Sequence, residues 1–191
     1  MKKNLLLIFM ESMASNFSAN TPELKKAQLD YLSFSPGGVD LAGTGWTIAG
    51  QVSKTCGIPL NIPGDINPSG INKFLPYVTC LTDILKSQKY RLTYIQGSNS
   101  DFASTRTFWT EHGVNDIRDF EYYDKKHKLS KNYPAFIGFE DLLLWQFAKN
   151  DISEIAEKNQ PWFLSLITEN THFPRGHIST NCKQPEKEET N

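Results

Sequence analysis

The sequence predicts an α/β fold with a mainly parallel sheet, and three observations carry that prediction. Asn4 to Met10 is a short, continuous apolar run, the pattern of a strand buried on both faces rather than of a surface helix. Trp162 to Thr168, behind Pro161, repeats the pattern near the other end of the chain. Between them Leu75, Val78, Leu81, Ile84 and Leu85 fall at near-helical spacing and lead into Tyr90 to Gln96, a β-branched and aromatic stretch closed by Gly97. Helix followed by strand is the alternation of an α/β chain. At 191 residues the chain has room for one sizeable core, so one domain, or part of one, is expected.

The remaining elements follow in order. Ser12 to Gly45 is polar and punctuated by Pro22, Pro36, Gly37, Gly38, Gly43 and Gly45, which reads as a long functional loop with one helical turn around Glu23 to Gln28. Trp46 to Thr55 has few breakers and ends at Gly57, with Pro59 beyond, so it reads as a helix with Thr47 in its first turn. Asn61 to Gly70 is turn-rich. Ser104 to His112 reads as a short helix ended by Gly113, whereas Asn115 to Asn132 is charged and aromatic without a clear period. Phe139 to Lys158 is helical, with a break expected near Asn150-Asp151. Lys183 to Asn191 is polar and charged and holds too little apolar surface to order itself. Residues 1–182 therefore read as the folded part and 183–191 as a disordered tail.

Several function classes are disfavoured at once. Lys plus Arg number 20 against 21 Asp plus Glu, and no basic cluster interleaves with aromatics, so nucleic acid is not an expected partner. Lys2-Lys3-Asn4 followed by Leu5 to Met10 imitates the start of a signal peptide. The run stops at Glu11 after about six residues, short of the roughly 7–15 of a signal sequence and the ~20 of a spanning helix. No targeting or membrane segment is expected in this chain. Cys56, Cys80 and Cys182 match neither a zinc spacing nor a closed disulfide set, and an odd count leaves one thiol free or separated from its partner.

In parallel α/β sheets, ligands collect beyond the carboxyl ends of the strands. Glu11 stands directly after the first apolar run, where its carboxylate suits a cation such as Mg²⁺, Mn²⁺ or Zn²⁺, or merely caps a loop. Gly43-Thr44-Gly45-Trp46-Thr47 sets a hydroxyl at a helix start behind a glycine loop. The unpaired N–H groups and positive dipole end there favour an alkoxide and a bound phosphate, although threonine is also an ordinary helix cap. His172, in Thr168 to Pro174, follows a third strand and reads as a phosphate contact or as a solvated loop side chain. Gln96 and Gly97 follow the middle strand, with Phe102, Phe108 and Trp109 beyond. They offer a close backbone approach and aromatic walls for a sugar or glycerol group, or else core packing.

Seven blocks recur in a familiar order: Asn4 to Ser12, Gly43 to Gly50, Cys56 to Leu60, Cys80 to Leu85, Tyr94 to Gly97, Phe139 to Asp141 and Thr171 to Gly176. Their order across Asn4 to Cys182 resembles the sulfatase/alkaline-phosphatase superfamily, and within it the phosphoglycerol transferase branch. That branch holds the lipoteichoic acid synthases and the enzymes that add phosphoglycerol to periplasmic glucans. The resemblance implies a three-layer alkaline-phosphatase-like sandwich. It implies that Glu11 is a metal ligand, that Thr47 is both metal ligand and nucleophile, and that His172 contacts the transferred phosphate. It implies that Trp109 touches glycerol, and that Gln96 and Gly97 lie at the substrate. It further implies one divalent metal, Mn or Mg ahead of Zn, a phospholipid headgroup donor and a glycan or glycerol hydroxyl acceptor. Cys56 and Cys80 resemble a cysteine pair of the glucan-modifying branch. Members of the branch are membrane-anchored, with the catalytic domain outside, on the periplasmic side.

Two departures accompany the match. The family completes its metal site with an Asp-His-Gly motif after the block that holds His172, and no Asp-His pair occurs in this chain. Glu111-His112-Gly113 precedes His172 and matches a different family segment, and Glu111 stands where the lipoteichoic branch has Arg. The expectation is an incomplete catalytic domain, lacking the anchor upstream and its last part downstream. Its metal would be held weakly, its turnover negligible, and the partner of Cys182 would lie in the missing part. The alternatives are a non-catalytic remnant or binding module on the same scaffold, or a phosphoethanolamine transferase or phosphodiesterase relative. Arylsulfatase activity is disfavoured because no Cys/Ser-x-Pro-x-Arg motif surrounds Thr47.

Overall fold

The computed structural model describes residues 2–13, 22, 25–26, 41–62, 70–129, 137–174 and 176–182. Most of the predicted Ser12 to Gly45 loop, including all but residues 25–26 of the helical turn expected around Glu23 to Gln28, and the 183–191 tail lie outside the described residues.

Strands β1 (Leu5–Phe9), β2 (Arg91–Ile95), β3 (Asp116–Arg118) and β4 (Trp162–Ile167) form a sheet in the order β1-β4-β2-β3. Every pairing is parallel, with Leu7 beside Ser165, Thr93 beside Leu164 and Tyr94 beside Ile117. All residues of β4 are buried, as its continuous apolar run predicts for an inner strand. β1 differs from expectation. Leu5, Leu6 and Ile8 are 38%, 41% and 39% exposed, because β1 is one of the two edge strands among the described residues. An apolar run specifies a strand that prefers burial; the neighbours decide how much of it is met.

Helix α1 (Thr47–Cys56) stops as the sequence indicates: Gly57 takes a left-handed φ of 72° and its N–H bonds Ser53 O at 3.1 Å. Helix α2 (Leu81–Ser87) is shorter than the Leu75 to Leu85 spacing suggests. Leu75 has a positive φ of 55° and forms a turn with Val78, and the helix begins only after Cys80, whose N–H donates to Asp83 Oδ2 at 2.8 Å. Helix α3 (Thr105–Glu111) follows a 3₁₀ turn at Phe102–Ser104. The stretch without a clear period contains β3 and helix α4 (Phe120–His127), started by Asp119, whose side chain accepts from Tyr122 N. Three strand residues are too few to show a period.

Helix α5 (Asp141–Ala156) is continuous through Asn150-Asp151, contrary to the predicted break. Asp151 is not a breaker but a buried partner: it accepts the Tyr123 hydroxyl and lies 2.8 Å from Arg118 Nη1 on β3. A charge placed in a core must be paired, and pairing makes it compatible with a helix.

Side-chain alternation along β4 divides the core in two. Phe163 and Ile167 join Tyr94, Ile48, Val52, Phe74, Phe108 and Trp109 on the α1–α3 side. Trp162, Leu164 and Leu166 join Tyr123, Leu144, Phe147 and Ile155 on the α4–α5 side. The outcome is the expected three-layer α/β/α sandwich. No described helix is long and apolar enough to cross a membrane.

Cys56, at the end of α1, is disulfide-bonded to Cys80, at the start of α2, and Cys182 is an exposed free thiol. The bond spans 24 residues, so it restricts the unfolded chain by about 3 kcal/mol. Replacing both residues by Ser is expected to lower the unfolding free energy by about that much in urea titrations; an unchanged midpoint would show that the link does not constrain the unfolded chain.

Candidate active site

The parallel pairing of β1 with β4 brings their carboxyl ends side by side. Thr168 N donates to Phe9 O at 3.0 Å, Glu11 N donates to Thr168 Oγ1 at 3.2 Å, and the Thr171 hydroxyl donates to Glu11 O. Glu11 is thereby pinned at the rim of the sheet. Helix α1 starts beside it: Trp46, in extended conformation, is the N-cap and makes no side-chain cap bond, and Thr47 is the first helical residue. The Thr47 hydroxyl donates to Glu11 Oε2 at 3.0 Å, and the Ser12 hydroxyl donates to Glu11 Oε1 at 2.9 Å. Thr47 is therefore not capping its own helix; its oxygen is turned to the carboxylate. Behind it, Gly43 has a φ of 79° and its carbonyl accepts Leu60 N at 2.8 Å, while a Cβ there would meet Leu60 O at 2.7 Å, so only glycine closes this turn.

Glu11, Thr47, Gln96, Ser98, Glu169 and His172 line one cavity of about 450 Å³, with Trp46, Phe102 and Ile137 as apolar wall. A second cavity of about 420 Å³ shares Glu11, Trp46 and Thr47 and extends past Ser12 and Thr44. His172 lies on the loop after β4. Its Nδ1–H donates to Phe173 O at 2.7 Å, which fixes the ring's orientation.

Glu169 is a site residue that periodicity did not single out. The residue is 9% exposed, and its carboxyl accepts the Ser98 hydroxyl through Oε1 and has no hydrogen-bond partner for Oε2 among the described residues. Burial pushes its pKa up to about 7; the Ser98 hydrogen bond opposes this, and the neighbouring Asp141 and Glu11 charges add to it. The only signal in the sequence was its place one residue beyond a strand end.

Helix α5 holds this loop in place. Asp141 accepts Glu169 N at 2.7 Å and Asn170 N at 3.1 Å, Asn170 Oδ1 accepts Asp141 N at 2.9 Å, and Glu140 accepts Thr180 N at 2.8 Å. The Phe139 to Asp141 block thus acts by positioning the Glu169–His172 loop.

The other predicted residues divide. Gln96 reaches the cavity, yet its Oε1 accepts the Tyr94 hydroxyl at 2.7 Å and its Nε2 donates to Ser98 Oγ at 3.0 Å, so it orients Ser98. Gly97 is buried away from the cavity lining; a Cβ there would meet Phe139 O at 2.7 Å and Glu169 Oε2 at 2.9 Å. Its close approach is to protein, not to ligand. Trp109 is placed in the core rather than at the cavity: it is 0% exposed, stacks on Tyr94 at 4.6 Å and donates through Nε1 to Gln51 Oε1 at 2.8 Å. The ring is closed to solvent in this structure, and Phe108 is buried with it. Phe102, largely exposed, supplies the aromatic wall instead.

Glu11, Thr47 and Glu169 offer oxygen atoms only, and Glu169 Oε2 has no hydrogen-bond partner among the described residues. Such a donor set fits a hard divalent cation such as Mg²⁺ or Mn²⁺ better than a thiolate-preferring one.

A parallel α/β/α sandwich with a carboxylate–hydroxyl pair beyond its strand ends places the chain in a known class, and the sequence agrees. The chain belongs to the sulfatase family, whose profile matches residues 3–191. Among its relatives, phosphoglycerol transferase I of Xanthomonas campestris pv. campestris is 33% identical over 190 residues, which are 95% of this chain and 27% of that protein. Phosphoglycerol transferase I of Escherichia coli is 34% identical over 190 residues, 96% of this chain and 25% of that one. The chain thus spans about a quarter of the length of these relatives. Two solved structures share the fold. The lipoteichoic acid synthase LtaP from Listeria monocytogenes has a TM-score of 0.72 at 16% identity, over 99% of this chain and 46% of that one. A protein of the alkaline phosphatase superfamily from Vibrio parahaemolyticus has a TM-score of 0.61 at 18% identity, over 96% and 45%.

The raised Glu169 pKa has a consequence for stability. Between pH 4.5 and about 7 the folded chain keeps a proton that the unfolded chain has released, so stability is highest below the window and falls as pH rises through it. The whole loss is of order 3 kcal/mol, counted at about 1.4 kcal/mol per pH unit. Glu169→Gln is expected to remove that slope, leaving the variant more stable than the parent in urea at about pH 8 and similar at about pH 4; equal slopes in both proteins would refute the assignment.

Proposed function

We propose that this chain carries the nucleophile side of a phosphoglycerol-transferase site, with Thr47 as nucleophile and Glu11 and Thr47 as ligands of one divalent cation. The observation that carries it is the Thr47 hydroxyl donating to Glu11 Oε2 at 3.0 Å, at the head of a helix and facing a cavity of about 450 Å³. The similarity to phosphoglycerol transferases supports the chemistry.

Thr47 attacks the phosphorus of a phospholipid headgroup such as phosphatidylglycerol. The bond to the diacylglycerol oxygen breaks, and the headgroup remains as a glycerophospho-threonine ester. A glycan or glycerol hydroxyl then takes the group and restores Thr47. Glu11 orients the Thr47 hydroxyl and accepts its hydrogen bond, the start of α1 turns unpaired N–H groups toward a phosphate oxygen, and His172 contacts the transferred group from the loop after the neighbouring strand. A bound Mn²⁺ or Mg²⁺ would offset oxyanion charge and lower the pKa of the hydroxyl. Trp46, Phe102 and Ile137 give the headgroup's glycerol and its lipid neighbours an apolar wall. In this reading the parent enzymes work at the outer side of the cytoplasmic membrane, where donor headgroups and periplasmic glucans meet.

A second reading rests on the same cavity: a binding module that holds a phosphate-bearing ligand among Glu11, Thr47 and His172 without turnover.

Incubation of the chain with Mn²⁺ and phosphatidylglycerol vesicles is expected to yield a slowly accumulating glycerophosphoryl adduct on Thr47 by peptide mass spectrometry. Thr47→Ala should abolish it; an undiminished adduct in that variant would exclude Thr47 as nucleophile, and no adduct in the parent chain would leave the binding reading standing. Calorimetric titration with Mn²⁺ is expected to show weak uptake that Glu11→Gln reduces at least tenfold. Tight uptake of one ion, insensitive to Glu11→Gln, would place the cation elsewhere.

A further inference from the structure

A second chemically loaded place lies at the other end of α1. Cys56 closes that helix, Cys80 starts α2, and His112 follows α3 with only 1% of its surface exposed. The ligand atoms of these three residues all lie within 4.8 Å of one another. Nine residue steps of helix separate Cys56 from Thr47, about 13 Å, so this is not the cavity of the proposed reaction.

The orientation of His112 is specific. Its Nδ1 stands 2.8 Å from Asp83 Oδ2, and its Nε2 stands 3.1 Å from the Phe74 carbonyl oxygen, which can only accept, so Nε2–H donates there. Nε2 also lies 3.7 Å from Cys80 Sγ, so a cation that displaces the Nε2 proton would find the sulfur and the carbonyl oxygen already gathered around that nitrogen. A carboxylate on the far nitrogen is also how zinc-binding histidines are held in one tautomer.

Distances favour the same metal. With Zn–S near 2.3 Å and Zn–N near 2.0–2.1 Å, neighbouring sulfur and nitrogen ligands of a tetrahedral zinc stand about 3.6 Å apart, and two sulfurs about 3.8 Å. His112 and Cys80 already have the first spacing, and the sulfurs gain the second by parting locally once the bond between them is broken. The Phe74 carbonyl or a water supplies the fourth position.

We propose that reduction of the Cys56–Cys80 disulfide creates, with His112, a zinc site in which Asp83 is the positioning residue. A dithiol donor closes to its own disulfide and delivers two electrons and two protons, leaving two cysteine thiols. Zn²⁺ then takes both sulfurs as thiolates and His112 through Nε2, and the protons that these three atoms release pass to solvent. The oxidised and zinc-bound forms exclude each other, and both tie α1 to α2. The helix that presents Thr47 therefore keeps its far end anchored in either redox state. Thiolate ligands select zinc over the hard cations suited to Glu11 and Thr47. The proposal is independent of the phosphoglycerol reading.

The test uses the full chain carrying Cys182→Ser, reduced with a phosphine that takes its oxygen from water and leaves the two thiols. Titration with Co²⁺ is expected to give one ion per chain, a thiolate-to-cobalt charge-transfer band, and bleaching of that band by one equivalent of Zn²⁺. The oxidised chain should show no band. His112→Gln and Asp83→Asn are each expected to weaken zinc at least tenfold. Because replacing a buried imidazole can unfold the chain, Asp83→Asn is scored together with circular dichroism, and Asp83→Glu should recover part of the affinity. Absence of the band in the reduced chain, a band in the oxidised chain, or unchanged affinity in a folded Asp83→Asn chain would overturn the proposal.

Discussion

Parallel pairing of β1 with β4 is the constraint from which the site follows. Two strands more than 150 residues apart in the chain end side by side, tied by Thr168 N to Phe9 O and by Glu11 N to Thr168 Oγ1. Because the strands run the same way, both of their exit loops emerge at one rim. Glu11 leaves from β1, Glu169 and His172 leave from β4, and α1 brings Thr47 to the same place. Had β1 run the other way, Glu11 would lie at the opposite edge of the sheet.

Gathering these groups has an electrostatic cost that the structure manages only in part. Glu11 is compensated by the hydroxyls of Thr47 and Ser12. Glu169 shares a buried place with the charges of Glu11 and Asp141, and one of its oxygens has no partner among the described residues. An unpaired buried oxygen and a raised pKa of this kind concentrate where a ligand completes the balance. Asp141 takes the opposite course: its carboxylate accepts two backbone N–H groups of the loop, spending its charge on holding Glu169 and Asn170 in position.

The far end of α1 is secured by a different chemistry. A covalent bond joins Cys56 to Cys80, and the buried His112 and the partly exposed Asp83 stand against it. The helix is therefore fixed at both termini, by hydrogen bonding to a carboxylate at Thr47 and by a cross-link at Cys56. For the nucleophile role proposed for Thr47 such rigidity matters, since misplacement by about 1 Å can cost on the order of a hundredfold in rate.

Much of this was legible in the chain itself. The apolar runs declared β1 and β4, Gly57 declared the end of α1, and the order of short blocks identified the family, because hydrophobic period, backbone freedom and motif order are local properties that survive in one dimension. Glu11, Thr47 and His172 were readable as strand-end and helix-start residues and do line one cavity. Tertiary structure alone decided the rest. Trp109 looked the same in sequence whether it faced glycerol or Tyr94, and packing chose Tyr94. Asp151 looked like a helix break until Tyr123 and Arg118 came within reach of it. The raised pKa of Glu169 and the meeting of Cys56, Cys80 and His112 depend on residues far apart in the chain. Burial and charge proximity are properties of the folded surroundings, and no single stretch of sequence contains them.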